Sequence, residues 1–197
     1  MIWINKYWRS CLAGMLFIAG TLVIADGLAI YLKAGLAQAL IKQAWSETLV
    51  SDRDVKPWPW ADTWPVARLQ VAQADTDLYI LQGAQGSSLA FGPGWMDDSV
   101  RPEEIGTKLI AGHRDTHFKF LQKLQANDAL ILTSKDGRQM HYHVDTIQII
   151  DSSKEQLLID TRPERLVLIT CYPFDAIEPG GPQRYIVNAL PDKTFSL

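Results

Sequence analysis

One cysteine stands at a position suited to chemistry. Cys171 ends the apolar run Leu166-Val167-Leu168-Ile169-Thr170, and Tyr172-Pro173 terminates that run. The other cysteine, Cys11, lies in a hydrophobic N-terminal segment, so the two cannot form a disulfide framework. A free cysteine is most often a small buried hydrophobe, but the end of a strand is where loops build pockets. We therefore interpret Cys171 as a candidate nucleophile.

Two distant residues have the types that such a thiol needs. His113 follows an apolar run that ends in Gly112, and an imidazole beside a thiol raises the fraction of reactive thiolate. The protonated imidazole then acts as the acid toward a leaving amine. Arg184 opens the last strand-like run, and its permanent charge suits an oxyanion or a substrate backbone. Each residue taken alone is more often structural or solvated, but all three lie at strand ends, which can meet at one rim of a barrel.

The histidines have a rival use as metal ligands. His113 and His117 are four residues apart, but the residues between them lack the glutamate of a zinc protease. His141 and His143 share one strand face and have no evident third ligand. We therefore expect no metal and no cofactor. The net charge of −3 and the lack of a long basic run argue against a nucleic-acid partner.

The N-terminal segment predicts a membrane anchor. Cys11–Leu32 is a run of 22 residues with one charge, Asp26, and about 20 apolar residues cross a bilayer as a helix. Lys6 and Arg9 precede this run, which predicts a single pass through the inner membrane with the N-terminus in the cytoplasm and the rest in the periplasm. A cleaved signal peptide is the alternative, because Ala37-Gln38-Ala39 offers a cleavage pattern. That pattern lies several residues past the apolar run.

Three segments follow from this pattern: the anchor, 1–32; a juxtamembrane helix and linker, 33–63; and a catalytic domain, 64–197. Leu36, Leu40 and Ala44 share one helical face, which predicts an amphipathic helix that either continues the anchor as a stalk or packs on the barrel. Pro57-Trp58-Pro59-Trp60 then breaks helical order. Its tryptophans suit either the membrane interface or an apolar face of the domain.

The remainder of the chain reads as short strands between turns. Asp136-Gly137 between two of them is a strong hairpin signal. About eight short strands with few helices predict a mainly β fold, a sandwich or a closed barrel. The predicted strands are Val66–Val71, Leu78–Leu81, Lys108–Ala111, Ala129–Thr133, Met140–Ile150, Leu166–Thr170 and Tyr185–Leu190.

These residues resemble the sortase family of cysteine transpeptidases. The family's active-site strand reads Thr-Leu-x-Thr-Cys, and Val167-Leu168-Ile169-Thr170-Cys171 departs from it only at Val167. The family's arginine follows about a dozen residues later, and Arg184 lies 13 residues after the cysteine. Its histidine occurs in an Ala-Gly-His-Arg run, as in Ala111-Gly112-His113-Arg114. The resemblance covers roughly Trp64–Leu190.

The resemblance implies an eight-stranded sortase-like β-barrel behind an N-terminal transmembrane helix and helical stalk. It implies that Cys171 is the nucleophile, His113 the acid and base, and Arg184 the stabiliser of the oxyanion or substrate, with Thr170 as a weaker candidate for substrate contact. The implied partners are the lipid bilayer, an exported protein with a C-terminal Leu-Pro-x-Thr-Gly-like sorting signal, and an unknown amine acceptor.

A finer similarity is to the proteobacterial, marine-type (class GN) sortases, through Lys56-Pro57-Trp58-Pro59-Trp60-Ala61-Asp62. A single dedicated membrane-bound target is typical of that group. Two other functions stay open. A thiol hydrolase on the same barrel would give the acyl group to water, and a non-catalytic anchored barrel would use Cys171 for packing only.

Overall fold

The computed structural model describes residues 4–154, 160–178 and 180–192. The side chain of Lys6, which the predicted membrane orientation uses, lies outside the described part. The chain divides into two compact units, Met1–Ala39 and Leu40–Leu197. One long helix, α1 (Ile4–Ser51), supplies the described part of the first unit and opens the second.

The described part of the first unit is an apolar helix with large exposed apolar side chains. Among the described residues, α1 is the one helix that is long and apolar enough to cross a membrane. Large apolar side chains such as Phe17, Val23 and Ile24 are each more than 70% exposed. An exposed apolar surface of this kind marks a membrane or protein contact. The helix is therefore compatible with the predicted single-pass anchor.

The second unit begins with the last turns of α1, which pack on the barrel. Ile41, Ala44, Trp45 and Thr48 are buried at the spacing of one helical face. The Trp45 ring lies 6.3 Å from the ring of Tyr79 on the barrel. The alternative in which this segment packs on the barrel therefore holds for the last turns of α1.

The helix ends in a left-handed residue, and a packed linker follows it. Asp52 has a φ of 51° and its backbone N–H donates to the Thr48 carbonyl at 2.9 Å, which is a common way to end a helix. Trp58 packs edge-on against Phe91 with ring centroids 5.1 Å apart. By contrast, Trp60 is 80% exposed. The linker tryptophans therefore differ, and Trp58 covers part of the domain.

Eight strands close into a barrel, which confirms the predicted fold. Their order around it is β1-β2-β3-β4-β7-β8-β6-β5. The β2·β3 and β4·β7 pairs are parallel and the others antiparallel. A short helix, α2 (Gly86–Leu89), precedes β3. The strands are β1 (Pro65–Val71), β2 (Thr76–Gln82), β3 (Gly94–Trp95), β4 (Thr107–Ala111), β5 (Ala129–Ser134), β6 (Gln139–Asp151), β7 (Arg165–Cys171) and β8 (Gln183–Pro191).

Seven of these strands were predicted, and β3 was not. It is only two residues long and begins at a glycine, so it shows no alternating apolar pattern. Gly94 is needed there because a Cβ atom would lie 2.3 Å from the carbonyl oxygen of Gly83. The predicted hairpin is confirmed: Gly137 has a φ of 81° in the turn between β5 and β6.

The strands β4, β7 and β8 bury apolar side chains on both faces. Ile110, Leu168 and Val187 belong to the core inside the barrel. Side chains alternate along a strand, and the alternate residues form a second buried group on the other face, which we call the outer cluster: Leu109, Val167, Ile169 and Ile186. Burial on both faces explains why these strands read as continuous apolar runs.

The packing of α1 on the barrel predicts unequal effects for two tryptophans. Trp45 is 3% exposed and Trp60 is 80% exposed. We expect Trp45→Ala to lower the free energy of unfolding of the barrel by about 3 kcal/mol, because it leaves a cavity. Trp60→Ala, the matched control, should change it by less than about 0.5 kcal/mol. Urea unfolding followed by circular dichroism measures both, and equal effects would contradict the packing.

Candidate active site

The strand register brings two of the three candidate residues together. Cys171 is the last residue of β7 and pairs with Arg184 near the start of β8. Each lies two residues beyond a member of the outer cluster, Ile169 and Ile186, so both side chains belong to the outer face of the sheet. The thiol is half-buried. A permanent cation thus lies on the strand beside a partly accessible thiol.

The third candidate, His113, lies just past the end of β4. Ala111 ends that strand and pairs with Ile169 of β7, and the next residue, Gly112, donates its N–H to the Ile169 carbonyl at 3.1 Å. His113 therefore follows the last contact between the two strands, at the same end of the barrel as Cys171. It is exposed, and its carbonyl accepts from the Phe118 N–H at 2.9 Å.

Thr170 holds β7 to the histidine segment. Its side chain is 2% exposed, and its hydroxyl donates to the Gly112 carbonyl at 2.7 Å. We expected this residue to contact substrate. Its side chain alternates with that of Cys171 and therefore lies on the inner face of β7, and contact with substrate stays a prediction. Its contact fixes the backbone immediately before His113.

Gly112 allows the close packing behind His113. A Cβ atom on Gly112 would lie 2.7 Å from the ring of Phe118, and that ring is fully buried. The group that approaches this glycine is therefore the Phe118 ring. The ring and the two hydrogen bonds of Gly112 together fix where the chain leaves β4.

The guanidinium of Arg184 contacts the loop between β7 and β8. Its Nη1 atom donates to the carbonyls of Gly181 at 2.6 Å and Gln183 at 2.9 Å. Within the described residues, its Nε and Nη2 atoms have no hydrogen-bond partner. The Nη1 atom therefore holds the loop. The Nε and Nη2 atoms keep donors that no described residue accepts from.

Aromatic rings and an open depression are formed largely by residues that follow Cys171 in the chain. The rings of Phe174 and Tyr185 are 5.0 Å apart, and Tyr172 stacks on Tyr185 at 6.1 Å. The peptide bond between Tyr172 and Pro173 is cis. The depression has a volume of about 490 Å³ and is lined by Lys119, Gln122, Tyr172, Pro173, Phe174 and Asp175. Four of these residues directly follow Cys171 in the chain.

Arg114 lies next to His113, and no role for it was predicted from the sequence. Its side chain is 7% exposed, and its Nη2 atom donates to the carbonyls of Ala176 and Glu178 in the β7–β8 loop. A buried arginine is rare unless it is paired. The only sequence signal was the arginine of the Ala-Gly-His-Arg run, and its partners are more than 60 residues away.

His117 lies close enough to His113 to be affected by its charge. Burial lowers the pKa of His117 below the usual 6.5, the charge of His113 lowers it further, and Asp115 opposes both. His117 is therefore neutral at neutral pH. Across residues 4–154, 160–178 and 180–192, no group of three or more His, Cys, Asp or Glu side chains could hold a metal ion.

Comparison with known proteins identifies the family. The Sortase domain family model matches residues 69–192, more than half of the chain, so this chain belongs to the sortase family of cysteine transpeptidases. Sortase D of Bacillus subtilis (strain 168) is 32% identical over 120 residues, which are 60% of this chain and 60% of that relative. The match thus spans under two thirds of the curated relative.

Solved structures agree with this assignment. The catalytic domain of SrtD from B. anthracis is 32% identical, with a TM-score of 0.54 over 65% of this chain and 87% of that one. A Sortase D5 transpeptidase from Clostridium perfringens has a TM-score of 0.62 over 80% of this chain and 99% of that one. Its identity is 19%, so this likeness supports the fold alone.

The packing at Gly112 predicts a specific defect. We expect Gly112→Ala to lower the free energy of unfolding by about 1–3 kcal/mol, because Phe118 must move to admit the methyl group. The reactivity of Cys171 toward an alkylating agent should change as well, because the segment carrying His113 shifts. Gly86→Ala is the matched control, since no heavy atom lies within 4 Å of its Cβ position. Equal stability of the two variants would argue against the packing.

The lowered pKa of His117 predicts a pH-dependent stability. As the pH falls below about 6.5, the unfolded chain binds a proton at His117 that the folded chain binds only at lower pH. The free energy of unfolding should therefore decrease with falling pH in this range. His117→Gln should make that decrease shallower, as measured by urea unfolding between pH 8 and pH 5. An unchanged slope would mean that folding does not perturb His117.

Proposed function

We propose that this chain is a membrane-anchored cysteine transpeptidase that cleaves a Leu-Pro-x-Thr-Gly-like sorting signal and transfers the acyl group to an amine. The observation that carries the proposal is the strand register. It sets Cys171 opposite Arg184, and the β4·β7 pairing ends at Ala111, two residues before His113. Family membership supports the reaction class.

The proposed reaction has two acyl-transfer steps. In the first, the thiolate of Cys171 attacks the carbonyl carbon of the threonine in the donor peptide. The peptide C–N bond breaks, His113 gives a proton to the leaving amine, and a thioester remains on the sulfur. In the second, His113 accepts a proton from the incoming amine, which attacks the thioester, and the sulfur leaves as thiolate.

Arg184 stabilises the charge that develops in both steps. The carbonyl oxygen becomes an oxyanion in each tetrahedral intermediate, and a fixed cation near it lowers the barrier. The Nη1 atom is engaged by loop carbonyls, so Nε and Nη2 are the donors that we assign to the substrate. Thr170 is assigned a positioning role, because its hydroxyl holds Gly112.

We assign the amine acceptor to the depression formed by Tyr172–Asp175, Lys119 and Gln122. Four of its six lining residues directly follow the nucleophile, and we propose that an amine bound there approaches the thioester. Asp175 offers a carboxylate to an ammonium group, and the ring of Tyr172 or Phe174 offers an aromatic face. Both features favour a cationic amine over water.

We further propose the setting of the reaction. The apolar helix anchors the chain in the inner membrane with its N-terminus in the cytoplasm, so the barrel acts in the periplasm on an exported protein. Lys56–Asp62 supports the marine-type, class GN assignment. A search of the genes near the one that encodes this chain, for an exported protein with a sorting signal, would narrow the set of candidate substrates.

Two alternatives are separated by simple measurements. A thiol hydrolase would release free acid from the thioester even when a high concentration of amine is present, whereas a transpeptidase would form the conjugate. A non-catalytic barrel would keep Cys171 unreactive, so that a small alkylating agent would fail to label it in the native state.

Substitution of the three residues tests the mechanism. With a panel of sorting peptides and mass spectrometry of Cys171, we expect Cys171→Ala to abolish the thioester while the barrel stays folded. His113→Ala should nearly abolish turnover, and Arg184→Ala should lower it by about 100- to 1,000-fold, the cost of one oxyanion donor. Full activity in any of the three folded variants would contradict the assignment.

A further inference from the structure

The strongest unassigned feature is the buried guanidinium of Arg114. Its Nη2 atom donates to the carbonyl of Ala176 at 3.0 Å and to the carbonyl of Glu178 at 2.6 Å. It thereby joins the segment that carries His113 to the loop that follows Cys171. Arg114 follows His113 directly in the chain.

Stability alone gives a poor account of this arginine. Its side chain is 7% exposed, and within the described residues it forms no ion pair. Its Nη1 atom is buried and has no hydrogen-bond partner there. A buried charge that is only partly satisfied is costly, and an apolar side chain of similar volume would be cheaper. The two hydrogen bonds of Nη2 to the loop are therefore what an arginine supplies at this position.

The loop that Arg114 contacts needs an external restraint. Ile177 lies between the two bonded carbonyls and is 99% exposed, so the loop conformation keeps an apolar side chain in water. Gly180 and Gly181 follow with φ values of 89° and 86°, and glycines at such angles give the backbone little resistance to rearrangement. Arg184 holds the far side of the same loop through the Gly181 carbonyl.

We propose that Arg114 is a positioning residue that fixes the β7–β8 loop against the histidine segment and so shapes the wall of the acceptor depression. Its catalytic consequence rests on the proposed function, but its structural consequence does not. A single nitrogen of the guanidinium reaches both carbonyls, and lysine keeps the charge and the donors on a shorter side chain, so it reproduces these contacts only in part.

Limited proteolysis of the full chain in detergent tests the structural consequence. Thermolysin cleaves before large apolar residues, so the Ala176–Ile177 bond is its target, and the bond before Ile105, which is 81% exposed, is an internal reference. Relative to that reference, Arg114→Met should speed cleavage before Ile177 by at least about tenfold, because hydrogen bonds to a charged group are lost. Arg114→Lys should give an intermediate rate.

The matched control is Arg138→Ala. Arg138 is an exposed arginine whose guanidinium bonds to Asp136 in the β5–β6 hairpin, and its removal should leave the cleavage ratio as in the wild type. An unchanged ratio in Arg114→Met would overturn the proposal. If that variant fails to fold by circular dichroism, Arg114→Lys decides in the same way: a raised ratio supports the proposal and a wild-type ratio overturns it.

Enzyme kinetics test the catalytic consequence. In Arg114→Met the KM for the amine acceptor should rise by about tenfold, while kcat for release of the donor's leaving group changes by less than about threefold, with partial rescue by lysine. An equal fall in kcat and kcat/KM would overturn the positioning role. A wild-type protein that forms no thioester with any donor peptide would sink the proposed function instead, and proteolysis would still decide on Arg114.

Discussion

The pairing of β7 with β4 on one side and β8 on the other is the constraint on which the site depends. The two pairings are of opposite sense, parallel to β4 and antiparallel to β8. The C-terminal ends of β4 and β7 therefore meet the start of β8 at one rim. A slip of one residue in either register would turn every side chain of the slipped strand to the other face, and the thiol would then face the core.

Apolar burial on both faces of these strands fixes that register. Leu166 and Leu168 are fully buried inside the barrel, and Val167 and Ile169 are buried in the outer cluster. Burial of one such side chain is worth about 1.5–3 kcal/mol, so a shifted register would lose several of these contributions at once. The half-buried Cys171 continues the outer face where packing ends and loops begin. The partial exposure of the thiol is thus a consequence of where the strand stops.

The sequence predicted what depends on local pattern. Seven strands, the Asp136-Gly137 hairpin and the apolar helix follow from periodicity and turn chemistry. The sequence did not predict the features that depend on contacts formed only in the folded chain. Lys108 lies in an apolar run but is fully buried, because its Nζ atom donates to the Glu104 carbonyl at 2.7 Å and lies 3.8 Å from a Glu164 carboxylate oxygen. Arg114 is held by carbonyls that only the closed barrel brings near, and the two-residue β3 has no pattern to detect.

The proposed mechanism requires the imidazole of His113 to lie beside the sulfur of Cys171. Histidine NMR tests it most directly, in a Cys11→Ser background with 13Cε1-labelled histidines and His113→Asn to assign the signal. Conversion of Cys171 to its neutral methyl disulfide should shift the His113 resonance and leave those of His141 and His143, both on β6, in place. A His113 resonance that does not respond to modification of the sulfur would contradict the account.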